Sequence, residues 1–248
     1  EVIDIIIPIY NGLQYFDKLF VGIEKTKMKY RLILVDDQSP DPAVREYLDR
    51  YVAEHEGTVL LRNEKNMGFL PSVNRALAIA EHHVALVNTE VVIKQARPSV
   101  TDVEVPEGWL ERLMWPIFTK EKVASSTPFT TCGTICSFPN FCEDNVIFEG
   151  MPLWQIDDAF RQIRPQYATM PTGIGFCMGM NLEAIREVGL LDEENFDKGY
   201  GEENDWCQRA IQAGYTNVQV ENLFVYHKHG GSFSSEEKLR LLKSHLQR

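Results

Sequence analysis

Val84-Ala85-Leu86-Val87-Asn88-Thr89-Glu90 is a short apolar run that stops at Asn, Thr and an acid. It is too short for a typical helix and reads as a buried strand. The polar residues then stand at the strand's carboxyl end, the edge of an open α/β sheet at which ligands bind. A carboxylate there, with nucleotide-binding signals upstream, is a candidate metal ligand facing a diphosphate. The plainer alternative is a strand end turning into solvent.

The chain upstream repeats the same unit. Val2 to Pro8 is a β-branched run bounded by Pro, and Leu32 to Val35 is a second run ending at Asp36-Asp37-Gln38-Ser39. Thr58 to Leu61 is a third. Between them lie helical spacings: Leu13 to Thr26 with Leu13, Phe16, Leu19, Phe20 and Ile23, then Val44 to Ala53, then Phe69 to Ala80. Strands alternating with helices imply βαβ units and a mostly parallel sheet. The first turn carries no G-x-G-x-x-G and no P-loop occurs, so a nucleotide would have to be held by side chains. Asp36 and Asp37, at a strand's carboxyl end, are placed to accept from a base N–H or ribose hydroxyls, or equally to form an Asx turn before the next helix.

The totals narrow the class. A chain of 248 residues suits one large domain or two small ones. A net charge of −11 argues against a nucleic-acid backbone as partner. No run is long and apolar enough to span a bilayer. The chain opens directly on a strand and stops inside a helical pattern, as expected of a domain cut from a longer protein with other domains. Five cysteines, Cys132, Cys136, Cys142, Cys177 and Cys207, are an odd number. Reduced thiols in a cytoplasmic protein fit them better than a disulfide framework. Cys132 and Cys136 have zinc-like spacing, but no second ligand pair follows, so packed thiols are expected.

Pro8-Ile9-Tyr10-Asn11, Val35-Asp36-Asp37-Gln38-Ser39, Asn66-Met67-Gly68-Phe69 with Asn74, and Asn88-Thr89-Glu90 resemble the ordered motifs of family 2 glycosyltransferases of the GT-A fold. That fold is α/β, with a Rossmann-like, mostly parallel central sheet flanked by helices and a short antiparallel acceptor-side part. The resemblance implies a nucleotide-sugar donor bound through Pro8, Tyr10, Asn11, Asp36, Asp37, Asn66, Gly68, Asn74 and Asn88. It also implies Mn2+ or Mg2+ on a D-x-D-like acid. Gln38 replaces the usual Gly of V-D-D-G-S. At the metal motif about a dozen residues look inserted, leaving Glu90 on one side and Asp102, before Val103-Glu104-Val105-Pro106, on the other. Both stay candidate ligands, with Glu90 the direct end of the strand.

The second half is sharper. Trp109 to Phe118 and Leu153 to Arg164 read as helices, Val123 to Ser126 as a strand, and Leu182 to Val188 as a helix stopped by Gly189. Thr134 to Pro139 resembles a segment of bacterial polysaccharide glycosyltransferases, of the O-antigen or rhamnan type. Met170 to Met180 is dense in glycine, which lets a backbone approach something closely. Gly201-Glu202-Glu203-Asn204-Asp205-Trp206-Cys207-Gln208-Arg209 places three acids in a helix's first turn. One acid there complements the helix dipole, but three exceed that need. The block resembles the family's G-E-E-x-D/E-x-x-x-R signature. The resemblance implies Glu203 as general base and Glu202, Asp205, Gly173 and Trp206 as acceptor-binding residues. Val218 to Val220 and Leu223 to Val225 read as short strands. His227 follows, and the resemblance makes it the metal's imidazole ligand.

Residues 1–107 would then form the nucleotide-sugar-binding half and 108–235 the acceptor-binding and catalytic half of one domain, with a helix over 236–248. Leucines on one face of that helix and Lys/Arg on the other suit packing on the domain or peripheral contact with an anionic membrane. The expected activity is inverting transfer from a UDP- or dTDP-sugar to a glycan or lipid-linked glycan, for bacterial surface polysaccharide, at the inner face of the plasma membrane. A non-catalytic nucleotide- or glycan-binding domain with a disrupted metal motif is the rival. A nucleotidyltransferase is a weaker one, because its Gly-rich phosphate loop is missing.

Overall fold

The computed structural model describes residues 1–89, 91–92, 108–143, 145, 151–196 and 201–227. The first half runs β1 (Ile3–Ile9), α1 (Leu13–Glu24), β2 (Tyr30–Asp36), α2 (Pro42–Glu54), β3 (Val59–Arg62), α3 (Phe69–Leu77), β4 (His83–Val87) and β5 (Val91–Val92). The second half adds α4 (Trp109–Thr119), β6 (Val123–Phe129), α5 (Leu153–Arg161), β7 (Tyr167–Met170), β8 (Cys177–Met180), α6 (Leu182–Val188), α7 (Glu202–Gln212), β9 (Thr216–Phe224) and β10 (Tyr226–His227). A 3-10 turn covers Thr134–Cys136.

Eight strands form one sheet in the order β3-β2-β1-β4-β8-β6-β9-β7. The pairs β1/β2, β1/β4, β2/β3 and β6/β9 are parallel. Only β8 and β7 run against the others. The order reverses between β1 and β4, so a crevice opens beyond their carboxyl ends, where Tyr10-Asn11 and Asn88-Thr89 emerge.

The alternation along the strands explains the apolar runs. Ile3, Ile5, Ile7 and Ile9 of β1 enter a cluster with Phe16, Leu19 and Phe20 of α1 and with Leu110 and Leu113 of α4. Ile6 enters the opposite cluster, with Leu70 and Val73 of α3 and Trp206 of α7. A strand covered on both faces has no reason to alternate with polar residues. The exception is Asp4, buried but paired with Arg31 at 2.8 Å and accepting from the Glu81 and His82 backbone. Removing one partner of such a buried pair costs about 3–5 kcal/mol.

Local signals set the helix starts. Asp41 caps α2 by accepting from Ala43 N at 2.9 Å, with Pro42 in the first turn. Asn181 caps α6 in the same way, and Gly189, at φ +94°, ends it. One expectation changes. Thr216–Phe224 is one strand, because the register slips between Pro128 and Phe129 and the polar Glu221-Asn222 pair is taken up as a bulge. β7 and β8 were not legible as strands. β8 lies inside the Gly-rich stretch, where Gly179 is so close to Ser126 that a Cβ would stand 2.2 Å from its Oγ. The helix expected over 236–248 lies outside the described residues.

Candidate active site

The rim of the crevice is three turns tied to one another. After β1, Asn11 turns at φ 55°; its N–H donates to Ser39 Oγ at 3.0 Å and its Oδ1 accepts from Asp41 N at 3.3 Å. After β2, Asp36 Oδ1 accepts from Ser39 N at 3.0 Å, the Asx-turn alternative. Asp37 reaches across to the turn after β3. Its Oδ1 accepts from Asn63 Nδ2 and Met67 N, and its Oδ2 from Gly68 N, all within 2.8 Å. Gly68, at φ +91°, supplies the turn that aims those N–H groups. Asn66 is exposed and donates to Asp37 O at 3.5 Å. Asp37 therefore builds the rim. Tyr10, 53% exposed at the end of β1, is the aromatic face open to a base. Asn88 anchors the other wall through its N–H to Phe176 O at 2.9 Å.

Four expected ligand contacts are corrected. Pro8 is buried within β1 opposite Val35. Asn74 is 5% exposed; both its amide hydrogens go to Leu191 O and Glu193 Oε1, and its Oδ1 accepts from Leu191 N. Trp206 is fully buried and donates to Gly189 O at 2.9 Å, so no acceptor reaches it. Gly173 is buried, and its N–H donates to Cys207 Sγ at 3.2 Å.

The acids of α7 separate by helix face. Glu203, in the first turn, accepts from Gly175 N at 3.1 Å through Oε1. A Cβ on Gly175 would stand 2.3 Å from that oxygen, so any larger residue there would displace the Glu203 carboxylate. Sequence reasoning saw the glycine-dense stretch but singled out Gly173. Burial raises the Glu203 pKa, against the pull of its own N–H and that of Gly175. Glu202 is buried, and its carboxyl is pushed up to about 8 by desolvation first and the charge of Glu203 second. Direct contact of Glu202 with an acceptor is thereby corrected: it is the buried neighbour of Glu203. Asp205 pairs with Arg209 at 2.7 Å, and Arg209 also donates to Val188 O and Leu190 O. Arg209 thus braces the end of α6 and pairs with Asp205.

His227 is the imidazole expected as metal ligand, and the structure places it on β10. β10 pairs with β5 so that His227 lies opposite Val91, the residue after Glu90. Its Nδ1 lies 3.1 Å from Cys132 O, and a carbonyl only accepts, so Nδ1 carries the proton and Nε2 the lone pair. That tautomer is the one a metal-binding imidazole adopts. The ring packs on Phe176 at 5.2 Å, and Thr131 Oγ1 donates to His227 O at 2.9 Å. Glu90 and Asp102 lie outside the described residues. Among the described residues no group of three His, Cys, Asp or Glu side chains converges as a metal site.

Residues 4–88 match the family model for Glycosyl transferase family 2. The chain has the GT-A glycosyltransferase fold. A structure of GalNAc-T7 with UDP, GalNAc and Mn2+ superposes with a TM-score of 0.67 at 19% identity, over 98% of this chain and 47% of that one. The mannosyltransferase PcManGT from Pyrobaculum calidifontis, in complex with GDP-Man and Mn2+, gives 0.65 at 13% identity, over 99% and 64%. In sequence, N-acetylgalactosaminyltransferase 7 of Drosophila melanogaster is 27% identical over 195 residues, 71% of this chain and 31% of the relative. The chain thus spans about a third of that curated relative. The family match over 4–88 covers β1 to β4 and the turns at their carboxyl ends, and stops at Asn88.

Proposed function

We propose that this chain is a metal-dependent glycosyltransferase that moves a sugar from a nucleoside-diphosphate donor to a hydroxyl of a glycan or lipid-linked glycan, with inversion at the anomeric carbon. The observation that carries the reading is Glu203: a half-buried carboxylate at the edge of the crevice, fixed by Gly175 N–H and with its pKa raised. A sugar hydroxyl is a weak nucleophile, and a base in reach removes its proton as it attacks. Glu203 takes that proton. The hydroxyl oxygen bonds to the anomeric carbon while the bond to the diphosphate breaks, and the nucleoside diphosphate leaves with the electron pair.

Tyr10, Asn11, Asp36, Asp37, Asn66 and Gly68 form the wall for base and ribose, with Asn88 opposite. A UDP-sugar is the proposed donor, since GalNAc-T7 and S. aureus TarS are both similar folds solved with UDP. His227, with Glu90 or Asp102, would hold Mn2+ or Mg2+, whose charge offsets that of the leaving diphosphate. The polysaccharide setting rests on the Thr134–Pro139 resemblance alone, and the Drosophila relative is an N-acetylgalactosaminyltransferase.

The test is transfer by Glu203→Gln with a panel of UDP-sugars and Mn2+. The variant should lose about 10²–10⁴-fold in kcat while still binding UDP with Mn2+. An NMR reading of the product's anomeric configuration should show inversion. Full activity in Glu203→Gln, or a retained configuration, would remove Glu203 as base.

A further inference from the structure

We propose that Cys207 is a positioning residue for transfer, its thiol holding the Pro171–Phe176 segment in the register that places Gly175 N–H on Glu203. The proposal rests on the reading of Glu203 as the base. Three side chains of α7 bond alternate residues of that segment. Gln208 Nε2 donates to Pro171 O at 2.8 Å, Cys207 Sγ accepts from Gly173 N at 3.2 Å, and Glu203 Oε1 accepts from Gly175 N at 3.1 Å. From the other side, Ile174 N donates to Thr127 Oγ1 of β6 at 3.2 Å. The thiol is the middle one of these three contacts along the segment.

The thiol is itself fixed. Ser125 Oγ gives its one hydrogen to Asn217 Oδ1 at 2.6 Å. In the long contact between Ser125 Oγ and Cys207 Sγ, 3.9 Å, the S–H is therefore the donor. Asn217 Nδ2 closes the loop on Cys207 O at 3.4 Å. The register has no slack: a Cβ on Gly173 would stand 2.8 Å from Met178 Sδ, and one on Gly175 2.3 Å from Glu203 Oε1.

What makes the segment more than a local brace is its far end. Phe176 O accepts from Asn88 N at 2.9 Å, and the Phe176 ring packs on His227 at 5.2 Å. One six-residue stretch therefore touches the base, the end of β4 and the candidate metal histidine. A shift at Gly173 changes the separation between the acceptor side and the donor side, and sub-ångström placement is what oriented transfer depends on.

The experiment compares Cys207→Ser, which keeps an acceptor, with Cys207→Val, which keeps the bulk and strands the Gly173 N–H. Cys207→Ala is carried beside them in case valine prevents folding. Hydrogen exchange at the Gly173 and Gly175 amides is read on the protein alone, and kcat and donor KM in the transfer assay. In Cys207→Val, or in Cys207→Ala, exchange at Gly175 should quicken about tenfold or more. The kcat should fall about tenfold with donor KM unchanged, and Cys207→Ser should restore most of both. Wild-type exchange in the valine or alanine variant overturns the proposal, as does a serine variant as impaired as they are. If the wild-type chain transfers no sugar from any donor, the base assignment falls, while the exchange data still decide the clamp.

Discussion

Glu202 presents an acid 2% exposed, with Oε2 lacking a hydrogen-bond partner among the described residues, one position before the proposed base. Its carboxyl is pushed up to about 8 from an ordinary value of 4.5. Between those values the folded protein keeps a proton that the unfolded chain releases. Stability therefore falls as pH rises through that window, is unpenalised below it and carries the full penalty above it. Glu202→Gln mimics the protonated acid. The variant should melt with the wild type near pH 4.5 and above the wild type by roughly 10 °C at pH 8, taking about 1.4 kcal/mol per pKa unit and about 2–4 °C per kcal/mol for a chain of this size. A melting difference that does not change with pH would show that burial leaves this acid ionised. The raised pKa of Glu203 acts in the same direction and leaves a residual slope in the variant. Gln38 shows the same economy of scale: it turns at φ 55°, the left-handed conformation that glycine adopts without strain. The sequence departure there changes the residue and not the turn.

At the scale of the element, α7 shows what spacing does and does not convey. Glu202 and Trp206 are four apart and share the buried face; Glu203 and Cys207 share the next face, against the Gly-rich segment. That division was legible from helical period, and the acceptor role expected for Trp206 ignored it. β8 was illegible because its Cys-Met-Gly-Met run lacks β-branched residues and is a strand only by virtue of β4 and β6 on either side. Asn74 illustrates the harder case. A polar residue downstream of a nucleotide motif reads as a ligand contact, yet its partners lie 117 and 119 residues away, a separation no local pattern encodes. Asn74→Ala should therefore act on stability. It strands the Leu191 N–H and C=O, costing about 2–4 kcal/mol and several degrees of melting temperature, with UDP affinity unchanged within about twofold. Weaker UDP binding at an unchanged melting temperature would restore it as a nucleotide contact.

Across the whole molecule, the mostly parallel sheet was readable from alternating strands and helices, because the central strands are apolar runs buried on both faces; the strand order that sets the β1–β4 switch point was not. The ligand edge followed from that parallel sheet. The chemistry of that edge must still be reconciled with a net charge of −11. A diphosphate approaching such a molecule is repelled at long range, and the described rim sets Asp36 and Asp37 against backbone N–H groups, with Arg62 already paired to Asp36 at 3.6 Å and to Asp49 at 2.8 Å. The nucleotide should then bind as its metal complex. In a thermal-shift panel of UDP, dTDP, GDP and CMP, UDP with Mn2+ at about a hundred times its Kd should raise the melting temperature by roughly 5–10 °C. UDP in chelator should give only a small part of that shift. His227→Asn should remove the metal-dependent part alone, because the residues around Tyr10 and Asp36 that face base and ribose are untouched. An equal shift with and without metal would mean that the edge holds the diphosphate by other means. No shift from any nucleotide would favour a glycan-binding domain over an enzyme.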